Sequence, residues 1–203
     1  MSRLLGLLTM AFAAVLAVGL WMPFKALVAQ ELLELAWAES QARQSEARPW
    51  PWADTWPVAR LALPDLGQSM IVLDGAHGES LAFGPGQVLG HAAGSGPVII
   101  AGHRDTHFTG LRHLQAGSQL KLQTRSGNWY RYRVETIRVV DSRYEQIDTG
   151  QLADDTLLLV TCYPFDSLDS NGPLRYVVEA TSDPGPAALA RNEQVQIDTV
   201  AGL

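Results

Sequence analysis

Residues 4–24, LLGLLTMAFAAVLAVGLWMPF, run for 21 positions without a charge. At about 1.5 Å per residue, a helix of that length covers roughly 30 Å, the depth of a bilayer's hydrocarbon core. Arg3 lies before the run and Lys25 just after it, with Glu31, Glu34 and Glu39 beyond. This slight positive-inside bias keeps the N-terminus in the cytoplasm and exports the rest of the chain. Trp21 stands where an interfacial aromatic belongs. A cleaved signal peptide has an apolar core of about 7–15 residues and a small-x-small cleavage site. The core here is longer, and Leu27-Val28-Ala29 is a poor site, so residues 1–25 are expected to be a retained, single-pass transmembrane anchor in the cytoplasmic (inner) membrane.

Residues 26–48 are rich in Ala, Leu, Glu, Gln and Arg and hold no Gly or Pro. Leu27, Leu32, Leu33 and Leu35 form a partial apolar stripe. The segment reads as a helical stalk continuing from the membrane. Pro49-Trp50-Pro51-Trp52 and Trp56-Pro57 stop the helix and complete a stalk and linker over residues 26–57. Three tryptophans this close are expected to pack on the outside of the domain they precede.

From Val58 onward the pattern changes to short β-runs separated by Gly, Pro, Asn and Asp. Strands are expected at 58–63, 69–73, 98–101, 118–123, 129–140, 156–161 and 174–180, with one helical turn near 109–116. Seven or eight short strands at even spacing imply an antiparallel barrel or sandwich over residues 58–182. The absence of strand–helix alternation argues against a parallel α/β fold. Residues 183–203 lack strong periodicity and read as a C-terminal tail. The net charge of −6 argues against a nucleic-acid partner.

The chain has one cysteine, Cys162, so it has neither an internal disulfide nor a cysteine-based metal cluster. Cys162 ends the apolar run TLLLVTC. His103 follows the apolar run of residues 98–101, in AGHRDTHF, and Arg175 opens the last strand, in GPLRYVV. Eleven residues, 163–173, join the last two strands; if these pair as a hairpin, Cys162 and Arg175 are neighbours across the ladder. Spacing alone does not bring in His103, from which 58 residues separate Cys162. The chemistry of such a trio is coherent. A thiolate attacks an amide carbonyl and forms a thioester. A nearby imidazole moves protons to the leaving amine and from the incoming one. A fixed guanidinium stabilises the oxyanion.

These segments, AGHRDTHF, LLLVTCYPF and GPLRYVV, resemble the sortase family in order and spacing, and the match extends upstream through residues 82–86, His91 and PVIIAGH. The resemblance covers roughly residues 58–180. It implies an eight-stranded sortase-type β-barrel with short helices, carried on the transmembrane helix and its stalk. It also implies a cysteine transpeptidase that cleaves an exported protein at an LPxTG-like C-terminal sorting signal and transfers the acyl group to a primary amine. Carried over to this sequence, Cys162 is the nucleophile, His103 the acid/base and Arg175 the oxyanion or positioning group. Thr161 supports the nucleophile as in the family's TLxTC pattern, although Leu158 replaces its first Thr. The Trp/Pro-rich lead-in and the anchor are similar to the Gram-negative branch, which would place the domain in the periplasm.

No cofactor is implied. Some sortases bind calcium through acidic loop residues, and no such set maps onto this sequence. His103, His107 and His113 are poor candidates for a metal site, because His-x-x-x-His pairs ligate mainly on helices. For each of the three residues a plainer role exists: a core thiol for Cys162, a hydrogen-bonded loop histidine for His103, an ion pair with Glu179 for Arg175. Asp105 could orient His103, and His77 and His91 read as surface residues. A hydrolytic cysteine peptidase would use the same trio. A tethered binding module with a dead site is the non-enzymatic alternative, and the Ser/Thr-His-Gly-Cys motif of L,D-transpeptidases is absent.

Overall fold

Prolines, glycines and other turn residues break residues 57–182 into strands of 4 to 13 residues. In the computed structural model those strands close on one another and leave no free edge. The structure describes residues 2–90, 96–167 and 172–183. A long helix, α1 (Ser2–Arg43), leads into β1 (Pro57–Leu63), β2 (Gln68–Asp74), α2 (Gly78–Phe83), β3 (Gly86–Leu89) and β4 (Val98–Ala101). Next come β5 (Gln119–Thr124), β6 (Trp129–Asp141), β7 (Thr156–Cys162) and β8 (Leu174–Ser182). The strands form a closed barrel in the order β1-β2-β3-β4-β7-β8-β6-β5.

The strand pattern predicts an antiparallel barrel or sandwich, and the structure is a closed barrel of mixed pairing. β2 pairs with β3 and β4 with β7 in parallel. Parallel neighbours need a long crossover; α2 lies in one, and the β5–β6 hairpin fills the other. β3 escaped the strand pattern because it is four residues long and opens on glycine. Its Gly86 is required by close approach: an added Cβ would lie 2.0 Å from the Gly75 carbonyl oxygen.

The barrel interior is filled by Leu61, Leu63, Val72, Ile100, Phe108, Leu120, Leu122, Leu157, Leu159 and Val178, all buried. Phe108, Leu111 and Leu114, around the 3-10 turn Thr109–His113, plug one end. β7 is apolar on both faces for a visible reason. Leu157 and Leu159 face the interior, while Leu158 packs outside with Ile99, Val140 and Val177 beneath Ile147 and Leu152 of the β6–β7 connection.

Helix α1 is one continuous helix, and its second half is docked rather than a free stalk. Leu33 and Trp37 are buried against Ile71, Leu73 and Phe83 on the outside of β2 and α2. The buried positions Ala29, Leu33, Ala36, Trp37 and Ser40 recur at helical period. The expected leucine stripe is therefore displaced, and Leu27 and Leu35 are exposed. Glu34 pairs with Arg60 of β1, and Gln30 Nε2 donates to the Phe83 carbonyl at 2.8 Å. Trp50 packs edge-on against Phe83 with ring centroids 5.0 Å apart. Trp52, against expectation, is 82% exposed. His91 and residues 184–203 of the expected tail lie outside the described residues.

Candidate active site

Three adjacent strand ends carry the residues singled out in the sequence. In the antiparallel pairing of β7 with β8, Cys162 and Arg175 are direct Cα partners. Residues directly opposite one another project to the same face, and here Leu158, Val160 and Cys162 alternate to the outside while Leu157 and Leu159 fill the interior. β4 lies on the other side of β7, with Ala101 beside Val160. The pairing continues past the end of β4: the Gly102 amide donates to the Val160 carbonyl at 3.1 Å, and the Thr161 hydroxyl donates to the Gly102 carbonyl at 2.8 Å. His103 is the next residue along the chain from this join.

Burial differs across the trio. His103 is exposed, whereas Cys162 and Arg175 are half-buried. Arg175 is held by its own loop: Nη1 donates to the carbonyls of Gly172 at 2.6 Å and Leu174 at 2.9 Å. Glu179 instead accepts from Thr136 across the β6–β8 ladder. Among the described residues Arg175 has no carboxylate partner.

Asp105 does not serve His103 in the way the sequence allowed. Its carboxylate accepts from Arg104 Nε at 3.0 Å. Arg104 itself is a residue that sequence reasoning passed over. Only 4% exposed, it donates to the carbonyls of Pro164 at 2.8 Å and Ser167 at 2.5 Å. The residue after His103 therefore fastens the loop that follows Cys162. The only sequence signal was its place in AGHRD, which also fits a surface arginine.

The same loop is framed by aromatics. Tyr163 stacks on Tyr176 with centroids 6.0 Å apart, and Phe165 meets Tyr176 edge-on at 5.0 Å. Arg112 lies over the Phe165 ring at 4.9 Å and pairs with Asp166 at 3.1 Å. His107 lies on the other flank. Burial holds its imidazole below the usual histidine range, the nearby His103 pushes it the same way, and a bond to the Phe83 backbone opposes both. Among the described residues no three His, Cys, Asp or Glu side chains gather as an ion's ligands. A cavity of about 340 Å³ lies at the opposite end of the barrel, against Trp56, Asp74, Thr124 and Arg125.

A closed eight-stranded barrel presenting cysteine, histidine and arginine on neighbouring strand ends is the architecture of the sortase class. A family model described as a sortase domain matches residues 61–183, and the chain belongs to the sortase family. Sortase D of Bacillus subtilis is 31% identical over 120 residues, covering 58% of this chain and 60% of that protein's length. Among solved structures, sortase A from Corynebacterium diphtheriae superposes with a TM-score of 0.54 at 25% identity, covering 66% of this chain and 65% of that one. A Clostridium perfringens sortase D5 transpeptidase gives a TM-score of 0.56 at 22% identity, covering 77% of this chain and 98% of that one, a likeness of fold.

Proposed function

We propose that this chain is a membrane-anchored cysteine transpeptidase that uses Cys162, His103 and Arg175. The observation that carries the reading is the cross-strand pairing of Cys162 with Arg175, next to the strand end from which His103 follows. Cys162 Sγ attacks the scissile carbonyl, and the C–N bond breaks to leave a thioester and a free amine. His103 supplies the proton that the leaving nitrogen needs, then accepts one from the incoming amine. Arg175 faces the developing oxyanion, with Nη1 fixed by two backbone carbonyls and Nη2 bonded to no described residue. Thr161 holds the nucleophile's strand against the histidine's loop.

The substrate is an exported protein with an LPxTG-like C-terminal sorting signal, and the acceptor is a primary amine. The apolar first half of α1 supports a single-pass anchor with the barrel on the outer side of the membrane. The Trp/Pro-rich lead-in supports the Gram-negative branch and hence the periplasm.

The test is a Cys162→Ala variant incubated with a sorting-signal peptide and an amine. Loss of ligated product is expected, and retained transpeptidation would overturn the assignment. Hydrolysed peptide without ligated product, at saturating amine, would instead favour a plain peptidase. Failure of a thiol-reactive probe to label Cys162 in the folded chain would favour a binding module.

A further inference from the structure

The docked half of α1 fixes which end of the barrel lies nearer the membrane. Gln30, early in the docked segment, bonds to the Phe83 carbonyl. Phe83 ends α2, and Gly86 just beyond it pairs with Ala101, two residues before His103. His107, beside His103, reaches the same Phe83 backbone. Gln44, at the other end of the docked segment, donates to the Arg125 carbonyl at 3.0 Å. Arg125 follows β5, whose last residue Thr124 pairs with Ala59 at the end of the barrel remote from Cys162. Fourteen helical residues, about 21 Å, thus run from the catalytic end to the far end. Phe24, the last residue of the uncharged run, precedes Gln30 by six residues, about 9 Å.

The surface at this junction is mainly apolar, with Lys25 and Asp54 as the charged groups among its lining. The helix exposes Leu16, Leu20, Trp21 and Phe24. Its apolar face continues into a groove of about 770 Å³ between α1 and the linker, bordered by Val28, Trp50, Trp52, Ala82 and Phe83. Trp52 stands out from it, 82% exposed. Lys25 Nζ lies 5.3 Å from the Trp21 ring centroid, the placement of a cation and an aromatic at a headgroup layer.

We propose that the groove and Trp52 are seated in the lipid headgroup layer, so that the barrel stands on the membrane with its Cys162–His103–Arg175 end lowermost. The inference rests on reading residues 4–24 as membrane-spanning and deepens the proposed function. The scissile bond must then be presented within roughly 10–15 Å of the bilayer surface, given the helical rise, which suits a substrate still tethered in the same membrane and not one reaching the site from the aqueous side.

The occupant is lipid because the groove continues the surface of the apolar helix. The test uses the full chain in the Cys162→Ala background, spin-labelled at a single introduced cysteine and reconstituted in phosphatidylglycerol/phosphatidylcholine vesicles that carry a nickel-chelating headgroup lipid. Labels replace Ala82 in the groove or Ser126 at the far hairpin, both exposed. A third replaces Trp52, where the label displaces no packed side chain. Relaxation by headgroup nickel several-fold stronger at 82 and 52 than at 126 is expected. Equal effects, or a stronger effect at 126, in chains that float with the vesicles would overturn the orientation while leaving the anchor intact. Chains that fail to float would overturn both. Spin–spin broadening between labels at 82, without nickel relaxation, would place a second copy in the groove and likewise overturn the proposal.

Discussion

Thr161 and Gly102, each the residue before a proposed catalytic side chain, are joined by a buried hydrogen bond of 2.8 Å from the threonine hydroxyl to the glycine carbonyl. Thr161 is 2% exposed, so the carbonyl cannot readily turn to water if the hydroxyl is lost. Thr161→Val keeps the shape and removes the donor, at an expected cost of about 1–3 kcal/mol. The urea midpoint of the detergent-solubilised chain should fall accordingly. Transpeptidation should fall by more than the lost folded fraction explains, because the bond also sets the spacing between positions 103 and 162. Full activity in the folded variant would mean that the β4–β7 pairing sets that spacing unaided.

Arg104 offers a second handle on the same alignment. Its guanidinium is nearly excluded from solvent and bonds to carbonyls 60 and 63 residues away in sequence. Arg104→Met should cost about 1–3 kcal/mol by stranding those carbonyls, and should speed proteolysis within residues 163–173 measurably. Arg104→Lys should recover only part of the loss, since one ammonium cannot reproduce a planar fork aimed at two oxygens.

Most of the barrel was legible in the sequence because period-two alternation and turn residues are local signals. β6 and β7 matched expectation to within one residue at each end. Cys162 opposite Arg175 followed from hairpin spacing alone. Other features depended on contacts made at a distance. Whether α1 is free or docked turns on Ile71, Leu73 and Phe83 receiving Leu33 and Trp37, and a helix with leucines on several sides does not declare which it buries. Likewise, nothing local separates Arg104, buried under a loop 60 residues on, from a surface arginine. The joining of the loop that carries His103 to the strand that carries Cys162 depends on a parallel pairing across a long crossover, which neither segment encodes alone.

Two glycines should respond to alanine in a defined order. At Gly102 the new Cβ would lie 2.8 Å from the ring of the buried Phe108, a side chain that can yield. At Gly86 it would meet the Gly75 backbone oxygen at 2.0 Å, with no such escape. Gly102→Ala is expected to cost about 1–3 kcal/mol as overpacking, and Gly86→Ala to cost more or to prevent folding, as read by denaturation midpoints and expression of folded protein.

Tyr132 is 3% exposed in the barrel wall. Burial, then Tyr130 and Asp155, push its phenol up to about 12. Of the five tyrosines, it should be the last to ionise when absorbance in the near ultraviolet is followed with rising pH. The phenol is harder to ionise in the fold than in the unfolded chain, so this contribution is complete below about pH 10 and drains away as the pH climbs toward 12. Tyr132→Phe should lessen that alkaline loss.

His107 makes the opposite demand at the acid side. Its imidazole is held below the usual histidine range by burial first and by His103 second. The unfolded chain therefore binds more protons than the folded one just below about pH 6.5, the unperturbed value. Stability from the neutral ring is complete above that pH and is lost as the pH falls through the lowered folded value. His107→Gln should flatten the dependence of the urea midpoint between about pH 7 and pH 5. An unchanged stability profile would show that the buried His107 ring is not the source of the acid-side loss.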